Sequence, residues 1–119
     1  MAHYVDGFVL PVPKRKIAAY RRLAQKAAKI WKEFGALDYK ECVGDDLDVK
    51  MGTSFPRGIK TKPGETVVFS YIVYKSRAHR DSVNAKIMKD PRIQEMCGAG
   101  MPFDAKRMLY GGFKAIVEI

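Results

Sequence analysis

ETVVFSYIVY, residues 65–74, decides the fold. It is the richest β-branched and aromatic run in the chain, and a strand places alternate residues on opposite faces. Val67, Phe69, Tyr71 and Val73 share one face, and Val68, Ile72 and Tyr74 share the other. A strand apolar on both sides must be covered on both sides, because an uncovered side would leave a large apolar patch in water.

The neighbouring segments supply one cover. Upstream, YVDGFVLPV (4–12) reads as a strand ending at Pro11 and Pro13. From Lys14 to Phe34 apolar residues then recur at three and four positions: Ile17, Tyr20, Leu23, Ala24, Ala27, Ile30, Trp31 and Phe34. That spacing predicts an amphipathic helix, stopped by Gly35. LDYKECV (37–43) alternates as a second strand, whereas residues 44–64 lack periodicity and carry much Gly and Pro. So long a loop suits a gate or a contact between subunits. Downstream, Ser76 caps a helix over RAHRDSVNAKIMK, Asp90-Pro91 caps a short turn over RIQEM that Gly98 ends, and GAGMPFD is a loop. RMLYGGFKAIVEI reads as a last strand running to residue 119, with Gly111-Gly112 inside it as a bulge or as room for packing.

The order strand, helix, strand, strand, helix, strand predicts one α+β domain over residues 1–119. Its fold class is ferredoxin-like, a βαββαβ antiparallel sheet with both helices on one face. The other face then needs a second copy of the chain, sheet against sheet, as a homodimer.

Composition excludes several classes. With 47% hydrophobic and 29% charged residues the chain is neither disordered nor collagen-like. The longest uncharged apolar-rich run, Thr66–Tyr74, is nine residues, far short of a membrane helix. The opening residues carry Asp6 within an apolar stretch and no basic leader, so no secretory signal is expected. Cys42 and Cys97 form neither a disulfide framework nor a metal spacing, which predicts a reduced, cytoplasmic protein with inert, buried thiols. Asp45, Asp46 and Asp48 lack the glycine and glutamate of an EF-hand loop, so no metal is expected. No cofactor motif is present either, and any chemistry would be cofactor-independent.

The net charge of +9 is uneven. Residues 1–36 hold eight basic and two acidic side chains, whereas residues 37–65 hold five and six. Lys14, Arg15, Lys16, Arg22, Lys26 and Lys29 on the first helix are therefore candidates for an anion or polyanion, RNA, DNA or an acidic protein. That helix puts Tyr20, Trp31 and Phe34 on its opposite side and offers bases no stacking platform. Crowding of Lys14, Arg15 and Lys16 at the helix start opposes the macrodipole, and an anion there would relieve it.

The second helix carries the more pointed signal. Val83, Ile87 and Met88 define its apolar sector, and Arg80 and Asn84 fall inside it. Buried polar groups need partners. Either Arg80, Asn84 and His79 line a polar pocket, or Asn84 meets a carbonyl and Arg80 pairs with a loop acid such as Asp45 or Asp46. Tyr71, Tyr110 and Phe103 are candidate walls of such a site or ordinary core and interface. His79 is the one candidate catalytic base. Glu41, on a face with Leu37 and Val43, has either a raised proton affinity or a place at the wet sheet edge.

VDGFVLPVPK, WKEFGALDYKECVGDDL, FPRGIK, GETVVFSYIVY, SRAHRDSVNAKIMKDPR and MPFDAKRMLYGGF together resemble the YbaA-like family of uncharacterised bacterial proteins, domain of unknown function 1428. The likeness runs along nearly the whole chain. It implies the dimeric α/β-barrel superfamily, similar in fold to antibiotic-biosynthesis monooxygenases, and implies no activity. The reading is a homodimer binding, and in one version transforming, a small organic molecule in a cavity beside the sheet. The alternative is a non-enzymatic RNA-, DNA- or acidic-protein-binding module using helix 14–34.

Overall fold

The computed structural model describes residues 2–119. Four strands form one antiparallel sheet: β1 (Tyr4–Pro13), β2 (Asp38–Val43), β3 (Glu65–Tyr74) and β4 (Leu109–Lys114), in the spatial order β2-β3-β1-β4. This is the ferredoxin-like arrangement. Helix α1 (Ile17–Glu33) follows β1, and helices α3 (Arg77–Met88) and α4 (Pro91–Gly98) follow β3.

β1 and β3 pair along their full lengths, from Tyr4↔Tyr74 to Pro13↔Glu65. The register gives each sheet face its residues. One face carries Asp6, Phe8, Leu10, Val12, Tyr39, Glu41, Val68, Ser70, Ile72, Tyr74 and Tyr110, and the helices pack on it. Its core falls into two clusters. Ile30, Ile72, Tyr74, Val83, Ile87 and Ile93 form one, and Leu10, Val12, Tyr20 and Val68 form the other. The opposite face carries Val5, Val9, Phe69, Tyr71, Val73, Leu109 and Phe113. Phe69, Leu109 and Phe113 there are exposed, Phe113 at 61%.

Several boundaries differ from the sequence reading. Lys14–Lys16 form a separate 3₁₀ turn ahead of α1. Three cations and no capping side chain give that start little to hold an α-helical turn open, and the tighter turn results. Residues 44–64 hold a short helix, α2 (Phe55–Ile59), capped by Ser54 and carrying Pro56 in its first turn. α4 runs from Pro91 and takes in Gly98, the residue expected to end it. β4 stops at Lys114, the partner of Tyr4, and one more bond follows, from the Ala115 amide to the His3 carbonyl at 3.0 Å. Ile116 and Val117, which read as strand, lie exposed beyond it.

The glycine pair in β4 is not a bulge: the register runs without a break through Gly7↔Gly111 and Asp6↔Gly112. A Cβ on Gly112 would overlap the Tyr4 hydroxyl and lie 2.8–2.9 Å from its ring carbons. The glycine gives the Tyr4 ring a diagonal cross-strand seat.

Candidate functional site

Asp6 is the least expected side chain in the molecule. It stands in a Val- and Phe-rich strand, on the helix-covered face, and is 1% exposed. Its neighbours supply the donors that such burial demands. Arg80 Nη1 donates to Asp6 Oδ1 at 2.7 Å, and the Tyr110 hydroxyl donates to Oδ2 at 3.2 Å. Asn84 Nδ2 stands 3.5 Å from the same oxygen. Arg80 also donates to the Tyr110 oxygen at 3.3 Å and to Asp81 at 2.8 Å, and its guanidinium lies 4.9 Å from the centre of the Tyr4 ring.

Local sequence places each member. Ser76 caps α3 by accepting from the His79 amide at 3.1 Å. The helical repeat then stacks Arg80 and Asn84 four residues apart on one face, over β1. β4 pairs with β1, so Tyr110 stands opposite Phe8, and the two rings stack at 4.9 Å. Asn84 is held from behind: Trp31 Nε1 donates to the Tyr74 hydroxyl at 3.0 Å, which donates to Asn84 Oδ1 at 3.3 Å. Burial, then the nearby Asp6 charge, push the Tyr74 and Tyr110 phenols up, so both stay protonated donors.

A second polar cluster lies toward the β2 edge. Glu41 accepts from Tyr20 at 2.7 Å and from Tyr39 at 2.8 Å. Burial and the adjacent Glu41 carboxylate push both phenols well above the ordinary tyrosine range. Glu41 is half-buried on the edge strand β2, where it serves as acceptor for two phenols.

Between the two clusters lies a half-open cavity of about 390 Å³. Ala24 and Ala27 of α1 face it with methyl groups only, and this leaves the space between helix and sheet. Leu23, Ile72, Ile87, Ile93, Phe8 and Phe103 make its walls apolar, and Met88, Met96, Cys97, Met101 and Met108 add sulfur. Asp6, Ser70, Asn84, Tyr110, Tyr20 and Tyr39 are its polar points. Such a cavity can hold an organic molecule by its apolar body and orient it by a few polar contacts. The chemistry open to it is proton transfer, with Asp6 as acceptor.

Of the residues singled out from sequence, Asn84, Tyr110 and Phe103 line this cavity, and Arg80 stands behind Asp6. Two are placed elsewhere. His79 Nδ1 accepts from the Lys75 amide at 3.0 Å, and its ring stands over Gly35 and edge-on to Tyr74. It closes the end of β3 and is not among the cavity residues. Tyr71 points to the opposite sheet face, beside Phe69 at 6.3 Å between ring centres. Neither Asp45 nor Asp46 pairs with Arg80, because Asp6 already holds it. Asp6 itself was missed as a site residue.

Both cysteines are exposed rather than buried. Cys42 lies on the edge strand β2, and Cys97 on the outer turn of α4 at the cavity. Lys14, Arg15, Arg22, Lys26 and Lys29 are exposed and Lys16 half-buried, and none of the six pairs with a carboxylate among the described residues. They lie on the outer side, away from the cavity. Among the described residues no group of three or more His, Cys, Asp or Glu side chains is placed to hold a metal, and no helix is long and apolar enough to cross a membrane.

The sequence profile of the family described as "Protein of unknown function (DUF1428)" matches residues 3–105. The uncharacterised protein YbaA of Escherichia coli K12 is 50% identical over 115 residues, which are 97% of each chain. The chain belongs to the DUF1428 family. This DUF1428 chain is also similar to solved structures that share little of its sequence. A dimeric ferredoxin-like protein from an uncultured marine organism has a TM-score of 0.57 at 13% identity, over 100% of both chains. SnoaB, a cofactor-independent oxygenase from Streptomyces nogalater, has 0.58 at 13% identity, over 99% of this chain and 95% of its own. At such identities the likeness is one of fold, the α+β sheet with its helices on one side.

Proposed function

We propose that this protein is a homodimer whose protomers each bind a small organic molecule in the cavity between sheet and helices. Asp6, Asn84, Tyr110 and Phe103 contact the molecule, and Arg80 positions Asp6. One observation carries the reading: a buried carboxylate held by three donors lies beside open space of about 390 Å³ rather than in a filled core. A buried ion pair adds little stability over an apolar pair of the same volume. Its place at the wall of a cavity favours a role in recognition.

The cofactor-independent oxygenase among the similar folds supports extending the reading to a transformation without a cofactor, with Asp6 taking a proton from the bound molecule. His79 has no part in it. The dimer is inferred from the opposite sheet face, where Phe69, Leu109 and Phe113 stand exposed with Phe55 against Phe69, and the dimeric neighbour supports it. Two exposed free thiols favour a reducing, cytoplasmic setting.

Native mass spectrometry of the purified protein tests the binding reading. A small molecule should travel with the wild type and be absent from Ala27→Phe, which fills the cavity while keeping the wild-type circular dichroism. Equal occupancy of both proteins would place the molecule elsewhere, and an empty wild type that no small organic probe stabilises would end the proposal.

A further inference from the structure

The direction of each hydrogen bond around the cavity decides what the cavity accepts. A carboxylate only accepts and a guanidinium only donates. Tyr20 and Tyr39 therefore both spend their protons on Glu41. Tyr110 spends its proton on Asp6 and receives one from Arg80. Asn84 turns its oxygen to Tyr74 and an N–H to Asp6. What these groups leave for the cavity is lone pairs, on Asp6, Tyr110, Tyr20 and Tyr39. The donors left over are the second N–H of Asn84 and the Ser70 hydroxyl, which serves either way.

The charges agree with this count. Among the described residues Asp6 is the one charged side chain in the cavity wall, and Glu41 stands behind the Tyr20 and Tyr39 hydroxyls. Arg80 is not itself a wall residue, and it already donates to Asp6, Tyr110 and Asp81. An anion entering would meet acceptors and like charge, without a free cation to receive it. The interior thus has the opposite polarity to the chain as a whole, whose net charge is +9. The acceptors also lie at two poles. Asp6 and Tyr39 flank Ile72 in one row across the sheet, two strand spacings or about 10 Å apart.

We infer that the cavity selects an apolar molecule bearing hydrogen-bond donors, an amine or an alcohol, and rejects carboxylates and other anions. The inference rests on the binding proposal above and adds the sign of the ligand.

Isothermal titration of the wild-type protein with three probes of one apolar body tests it: 2-naphthylmethylamine, 2-naphthylmethanol and 2-naphthoate. The amine and the alcohol should each bind at least tenfold tighter than the carboxylate, and Asp6→Asn should reduce the amine's margin over the alcohol. Naphthoate binding as tightly as either donor, or more tightly, would overturn the inference while leaving the binding reading in place. Failure of all three probes to bind would overturn both.

Discussion

Asp6 and Arg80 form a pair in which each side chain depends on the other. Their side chains are 2% and 13% exposed, so removing one leaves the other charged and nearly dry. Asp6→Ala should cost about 3–5 kcal/mol of folding stability, the usual penalty for breaking a buried pair from one side. The double variant Asp6→Leu with Arg80→Met should recover most of that loss, because neither charge then remains to be solvated. Urea unfolding of the two variants against wild type measures it. A loss below about 1 kcal/mol for Asp6→Ala would show the pair to be solvated after all. The residue was hidden in the sequence for a physical reason. A lone acid in a strand reads as a solvent-facing residue, and the partners that bury this one lie 74 and 104 positions away. Arg80 and Asn84 were legible because a helical repeat of 3.6 exposes a polar intruder in an apolar sector within a few residues. His79 shares their helix but not their surroundings. The free Lys75 amide at the end of β3 draws its ring away from the cavity.

Elements are held at their ends by pairs of the same kind. Glu65 opens β3 and accepts from Arg107 at 2.7 and 2.9 Å and from the Lys62 amide at 2.7 Å. Arg107 also donates to the Lys60 carbonyl at 2.9 Å, so one guanidinium ties the end of α2, the start of β3 and the approach to β4. Those bonds to Arg107 and to the Lys62 backbone hold the Glu65 carboxyl at about 2, below its ordinary 4.5. A carboxyl lowered by folding stabilises the folded state fully above its unfolded value, and that contribution fades as pH falls toward the folded one. Melting temperatures read from pH 7 down to 2.5 should therefore fall less steeply below 4.5 in Glu65→Gln than in wild type. Parallel curves would remove this tie from the account. Helices and strands themselves were readable from period and punctuation, as at Ser76, Gly35 and Asp90-Pro91. The misread end of the last strand has a different cause, in that neighbours as well as local residues decide it. The segment AIVEI is strand-like in composition, but its pairing stops at Ala115, which donates to the His3 carbonyl, and the backbone bends at Ile116.

For the whole molecule, the two sheet faces make different demands. One is filled by three helices and a cavity. The other leaves Phe69, Leu109 and Phe113 in water in a single copy, with Val5, Val9 and Val73 half-covered between them. Light scattering after size exclusion should give twice the chain mass of 13.4 kDa. Phe69→Glu with Leu109→Glu should return the chain to one copy while its circular dichroism stays unchanged, since neither side chain contacts the helix side. A wild type that remains single at high concentration would remove the dimer and keep the cavity, which lies within one protomer. The two-sided hydrophobicity of β3 was plain in the sequence. The volume left by Ala24 and Ala27 was not, because an absence of side-chain atoms becomes a cavity only when the opposite wall is in place.

The central position of β1 also sets an order of assembly. The strand is made first, but β3, its partner on one side, begins 61 residues later and β4, on the other, ends at Lys114. Chain entropy opposes closing such distant pairs until both are present. On the ribosome, then, the acid at position 6 stays hydrated until β3 and β4 have both emerged, and the pocket comes into existence only as β4 docks.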